Sequence, residues 1–136
     1  MKKILLIFII SGSLVSFDLS KYKLVKEYDF TTKFEKSGGM ETPTYHEIID
    51  YYQELDEAFA TIKLIEIGKT DSGEPLHLAI YNPDMEFDLE QLGEEKTVLF
   101  INNGIHPGES DGIDASMLLL RNLAQDSISA PKNTIL

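Results

Sequence analysis

The apolar positions of this 136-residue chain change period several times, and each change marks an element. From Thr44 onward, Ile48, Tyr52, Leu55 and Phe59 recur at i, i+4, i+7 and i+11, one face of an amphipathic helix running to about Ala60. Thr44-Tyr45-His46-Glu47 has the spacing of a capping box, with Pro43 just outside it. Ile62 to Ile67 reads as a short strand, Gly68 to Pro75 as a turn, and Leu76 to Tyr81 as a second strand, so the pair forms a hairpin. Residues 85–95 are acidic and polar and read as a surface loop, with Glu94-Glu95-Lys96 solvated. Thr97 to Ile101 is an apolar run expected to be a buried strand. A helix follows from Ser110 to about Ala124, lined by Ile113, Met117, Leu120 and Ala124. After a loop at Ser127 to Asn133, Thr134-Ile135-Leu136 has the look of an opening strand.

The N-terminal pattern is different in kind. Met1-Lys2-Lys3 is a short basic stretch, Ile4 to Ile10 is unbroken apolar sequence, and Ser11 to Ser20 offers a cleavage region. Residues 1–20 are therefore read as a signal peptide and the protein as periplasmic or secreted, because the apolar stretch is too short to span a bilayer. Residues 21–43 form a polar, Lys-rich lead segment of unassigned role, and residues 44–136 form the main domain.

Composition narrows the chemistry. A formal net charge of -11 argues against sequence-independent nucleic-acid binding, which needs a cationic surface, and against docking on anionic lipid. The absence of cysteine removes disulfides, thiolate metal sites and cysteine nucleophiles together. A metal site would have to be built from His, Asp or Glu.

That directs attention to Asn102-Asn103-Gly104-Ile105-His106-Pro107-Gly108-Glu109, where the apolar strand meets the second helix. Pro107 fixes φ and Gly108 tolerates unusual backbone angles, so the chain can turn sharply and bring the Glu109 carboxylate beside the His106 imidazole. Glu109 also stands close to the start of a helix, where the macrodipole favours its ionised form. A nitrogen and a hard oxygen suit zinc better than calcium or magnesium. The other titratable residues have simpler readings. His46 is an exposed helix residue, His77 a sheet-surface residue, and Asp111 and Asp114 are first-turn acids. Arg121 is expected on the solvent side of its helix.

Asn102 to Glu109 resembles the first zinc-binding segment of the zinc carboxypeptidases, the family of carboxypeptidase A, in which His-x-x-Glu ends a central strand just before a long helix. Thr44 to Ala60 is similar to that family's first catalytic-domain helix. Ile67-Gly68-Lys69-Thr70 with Gly73-Glu74-Pro75-Leu76 resembles its strand-turn-strand segment. The likeness runs from Thr44 to Leu136 in the family's order. Gly108 stands where digestive members carry Arg, which makes the segment more like the bacterial and cytosolic branches.

The resemblance implies an α/β fold, this chain supplying the N-terminal part of a mixed β-sheet flanked by helices. It implies Zn2+ held by His106 and Glu109, a peptide substrate, and peptide hydrolysis by a metal-activated water. No catalytic residue of the family matches a position in this chain: the third ligand and the general-base Glu are expected downstream of Leu136. The chain is thus expected to be an N-terminal fragment, inactive alone, whose partner is the missing C-terminal part of its own domain. Two alternatives remain open: an N-acyl amino acid amidohydrolase of the desuccinylase and aspartoacylase type, and a non-catalytic binding domain on the same fold.

Overall fold

In the computed structural model the described residues are 6–10, 13–17, 28–88, 90–91, 93–106 and 108–136. Lys2, Lys3, half of the candidate cleavage region (11, 12 and 18–20), residues 21–27 of the lead segment and Pro107 lie outside them. Strands β1 (Leu6–Ile10) and β2 (Ser13–Phe17) pair antiparallel within the segment read as a signal peptide, with Phe8 opposite Val15.

The lead segment holds a one-turn helix, α1 (Lys33–Lys36). Thr32 caps it by accepting from the Glu35 backbone N–H, while the Glu35 carboxylate accepts from the Thr32 backbone N–H at 2.8 Å. Helix α2 (Tyr45–Ala58) starts with the expected capping box between Thr44 and Glu47. It ends where Phe59 turns extended, two residues before the expected limit. Its buried residues are Tyr51 and Leu55, with Ile48, Tyr52 and Phe59 partly covered around them. Tyr51 falls outside the i, i+4, i+7 series and is buried because the lead segment packs on that side. Its hydroxyl donates to the Phe30 carbonyl at 3.1 Å, and its ring meets Phe30 edge-on at 6.5 Å. Burial pushes the Tyr51 phenol up to about 12.

Strands β3 (Ile62–Lys69) and β4 (Pro75–Tyr81) form the expected antiparallel hairpin, with Ile62 opposite Tyr81 and a bulge between Glu66 and Gly68. Thr70 organises the turn: its hydroxyl and its backbone N–H both bond the Glu74 carbonyl. After the 82–96 loop comes β5 (Thr97–Val98), then helix α3 (Asp111–Ala124) and β6 (Thr134–Ile135). β5 and β6 are parallel, Thr97 opposite Thr134, so β5–α3–β6 is a strand–helix–strand unit. Tyr81 and Leu136 exchange both backbone hydrogen bonds, at 2.7 and 3.1 Å, as in an antiparallel pair. These bonds bring the end of the β3-β4 hairpin beside the β5-β6 parallel pair, each a two-stranded sheet. The class is α/β.

Helices α2 and α3 pack on the sheet and on each other. The core consists of Tyr51 and Leu55 from α2, Ile62 and Tyr81 from the hairpin, and Met117, Leu120 and Leu123 from α3. Ile80 of β4 and Ile135 of β6 are also buried, so the strands are covered on both faces only where β4 and β6 meet.

Two expectations need correcting. Thr97 to Ile101 is not a buried strand: ladder pairing covers only Thr97 and Val98, and Leu99 and Phe100 are 50% and 70% exposed. β5 has a neighbour on one side only, so its apolar side chains have nothing to pack against among the described residues. Nor does Arg121 face solvent. It donates to the Phe30 carbonyl at 3.1 Å and to the Glu35 carboxylate, tying the lead segment to α3. In the 94–96 run Glu94 and Glu95 are exposed as expected, and Lys96 is half-buried with its ammonium paired to Asp84.

Several of these contacts link stability to pH. The Thr44 backbone N–H, the Thr44 hydroxyl and Lys33 hold Glu47 down at about 2, from an ordinary 4.5. Arg121, with the Thr32 backbone N–H, lowers Glu35 as well. Carboxyls whose folded pKa is depressed add stability that is complete above the unfolded value and is lost as pH falls through the folded one. The melting temperature is therefore expected to hold above about pH 4.5 and to fall steadily toward pH 2. Glu47→Gln, followed by circular dichroism, should flatten part of that decline.

Candidate metal centre

The site is built where β5 gives way to α3. Beyond Leu99, whose N–H bonds the Ile135 carbonyl at 2.8 Å, the chain leaves the sheet and crosses the start of the helix. Two glycines let it do so. Gly104 has φ +65°, and a Cβ there would stand 2.6 Å from Ile113 Cδ1; Gly108 has φ +86°. The turn between them closes with a long bond from the Glu109 N–H to the His106 carbonyl at 3.4 Å.

The result brings the two expected residues together. His106 Nδ1 lies 3.1 Å from both carboxylate oxygens of Glu109. Both side chains are well exposed, at 68% and 60%. Zinc ligands roughly 2.0–2.2 Å from the ion in a tetrahedron stand about 3.3 Å apart. The observed separation, together with the pairing of imidazole nitrogen and carboxylate oxygen, fits a shared zinc ion. Without a metal, the same geometry makes a hydrogen bond or, with the imidazole protonated, an exposed ion pair.

No third ligand joins them. Among the described residues there is no group of three His, Cys, Asp or Glu side chains arranged to hold a metal. His46 is exposed on α2, with the Tyr45 ring beside it. His77 lies on β4, its Nδ1 3.4 Å from the Tyr45 hydroxyl. Asp111 is exposed at the start of α3. Asp114 is buried: one carboxylate oxygen accepts from the Thr42 hydroxyl at 2.8 Å and the other has no partner. Two shallow clefts of about 330 and 280 Å³ lie along the lead segment, and neither is lined by His106 or Glu109.

Other residues of the site carry no metal-ligand signature. The Asn103 amide donates to Ser116 Oγ on α3, and the same side chain lies over Gly112. Asn103-Gly104 signals a turn in the sequence, but its contact with α3 has no sequence signal of its own. The sequence matches no family model, and no curated protein or solved structure is significantly similar to it.

Proposed function

We propose that His106 and Glu109 are two protein ligands of a catalytic zinc, and that the protein is a zinc metallocarboxypeptidase of the carboxypeptidase A type. One observation carries this reading: the imidazole and the carboxylate converge at 3.1 Å on a turn between a strand and a helix. An antiparallel hairpin and a parallel strand–helix–strand unit, joined by the Tyr81–Leu136 bonds and packed with two helices, are compatible with the same reading.

In this proposal the chain's own residues hold and orient the ion. His106 presents Nδ1 and Glu109 a carboxylate at the start of α3, where helix N–H groups favour negative charge. A zinc ion bound there supplies Lewis acidity toward a scissile carbonyl and toward water. A catalytic zinc takes three protein ligands. The third ligand, the general base and the groups that recognise a substrate carboxylate are proposed to come from outside these 136 residues, as the continuation of the same domain. The stretch from Met1 to Ser20 is proposed as an export signal that places the enzyme in the periplasm or outside the cell.

The high exposure of both side chains favours one other reading, a binding domain that keeps the pair without chemistry. Expressed from its complete gene, the protein should release C-terminal residues from peptides. It should lose that activity to a chelator and regain it with zinc. His106→Ala or Glu109→Ala should lower kcat/KM on the order of a thousandfold or more. Hydrolysis that survives both the chelator and these substitutions would overturn the proposal. Cleavage of N-acyl amino acids in place of peptides would assign the amidohydrolase chemistry, and inactivity toward both would favour the binding domain.

A further inference from the structure

We infer that Asn103 is a positioning residue for the His106–Glu109 pair, holding the turn that carries them against the first two turns of α3; this rests on the zinc reading above. The need for such a hold is visible in the loop itself. From Phe100 to Gly108, the described backbone makes no hydrogen bond to another element. Among the described residues of this span, the backbone bond present is the 3.4 Å closure within the His106–Glu109 turn. Phe100, Ile101 and Ile105 are exposed, so apolar packing does not fix the loop either. A loop so placed would sweep its two ligands through a wide range of separations.

Contacts at two neighbouring residues restrain it, both against α3. Asn103 donates its side-chain amide to Ser116 Oγ, while its own Oδ1 sits so close over Gly112 that a Cβ there would stand 2.6 Å away. One residue on, Gly104 approaches Ile113 equally closely. The loop and the helix thus meet closely on each side, and the positive φ of Gly104 adds a backbone reason for glycine there. Ser116 lies inside a helix, where its hydroxyl would otherwise turn back to its own backbone. Here it engages a side chain that begins three residues before His106. With that bond in place, His106 and Glu109 are both anchored to α3, one through Asn103 and the other by direct continuity of the chain. Partners that orient metal ligands in this way alter metal affinity about 10–100-fold when removed.

The test is a zinc titration of the protein expressed from its complete gene, comparing wild type, Asn103→Ala, Ser116→Ala and the double variant. The His106 imidazole resonance serves as readout and a thermal melt is run on each. Asn103→Ala is expected to weaken zinc binding about tenfold with little change in melting temperature, because the loop lies outside the core. Ser116→Ala should do nearly the same, and the double variant should be no weaker than either single one, as for two ends of one interaction. Equal affinity in wild type and Asn103→Ala, or single effects that simply add, would overturn the positioning role while leaving the zinc reading intact. Failure of the wild type to respond to zinc at His106 would overturn both.

Discussion

Leu55→Ala is expected to lower the unfolding free energy by about 3–4 kcal/mol, the largest stability loss from any single truncation in the described core. Leu55 is fully buried, on the side of α2 that meets Ile62 and Tyr81 of the hairpin and Met117, Leu120 and Leu123 of α3. It is the side chain around which both helices and the hairpin close. Deleting it removes the transfer free energy of three carbons and leaves a cavity that three separate elements would have to close together. A domain of this size has only about 5–15 kcal/mol of stability, so the loss is a large fraction of the total. Urea denaturation measures it directly. Phe100→Ala is the matched control: it removes a larger side chain that is 70% exposed, and its effect should stay within about 0.5 kcal/mol. A reversed ranking would mean that β5 is covered and that the core has been drawn in the wrong place.

Arg121→Ala should cost about 2 kcal/mol, and the damage should be concentrated in the lead segment. The Arg121 side chain is 14% exposed and bonds both the Phe30 carbonyl and the Glu35 carboxylate, residues 91 and 86 positions away in sequence. The pair perturbs both partners consistently: Arg121 is raised chiefly by Glu35, and Glu35 is lowered chiefly by Arg121. Removing the guanidinium leaves the Glu35 carboxylate, about a third exposed, without its counter-charge, though its capping bonds to Thr32 remain. The loss is therefore smaller than for a fully buried pair. Hydrogen exchange locates the effect. Amides from Phe30 to Lys36 should lose protection, while those of β3 and β4 should change only with global stability. Uniform loss across the domain would show that the lead segment is not a separately docked strap.

These two residues also show what could be read from the sequence. Leu55 was legible because helix burial follows a local period, and Ile48, Tyr52 and Leu55 announce it without reference to the rest of the chain. The Thr44–Glu47 cap and the hairpin around Thr70 were legible for the same reason: their residue preferences act within a few positions. Arg121 was not, because its partners lie across the fold and a lone Arg on a helix has no pattern of its own. Tyr51 was missed likewise, since the lead segment buries it from a direction that the periodicity of α2 cannot report. The run from Val98 to Ile101 misled for another reason. Apolarity states what a segment would bury against, not whether a second neighbour stands beside it. At the site, the pairing of His106 with Glu109 followed from spacing and glycine placement, whereas the Asn103–Ser116 contact required knowing how closely the turn approaches α3.

The central claim is that His106 and Glu109 are metal ligands, and the chain carries its own controls in His46 and His77. Zinc titrated into the protein near neutral pH, followed by the imidazole resonances of all three histidines, compares them in a single sample. The account predicts that His106 responds at the lowest zinc concentration, well before His46 and His77, and that Glu109→Gln removes the difference. Equal responses from all three histidines, or a His106 response unaffected by Glu109→Gln, would contradict it.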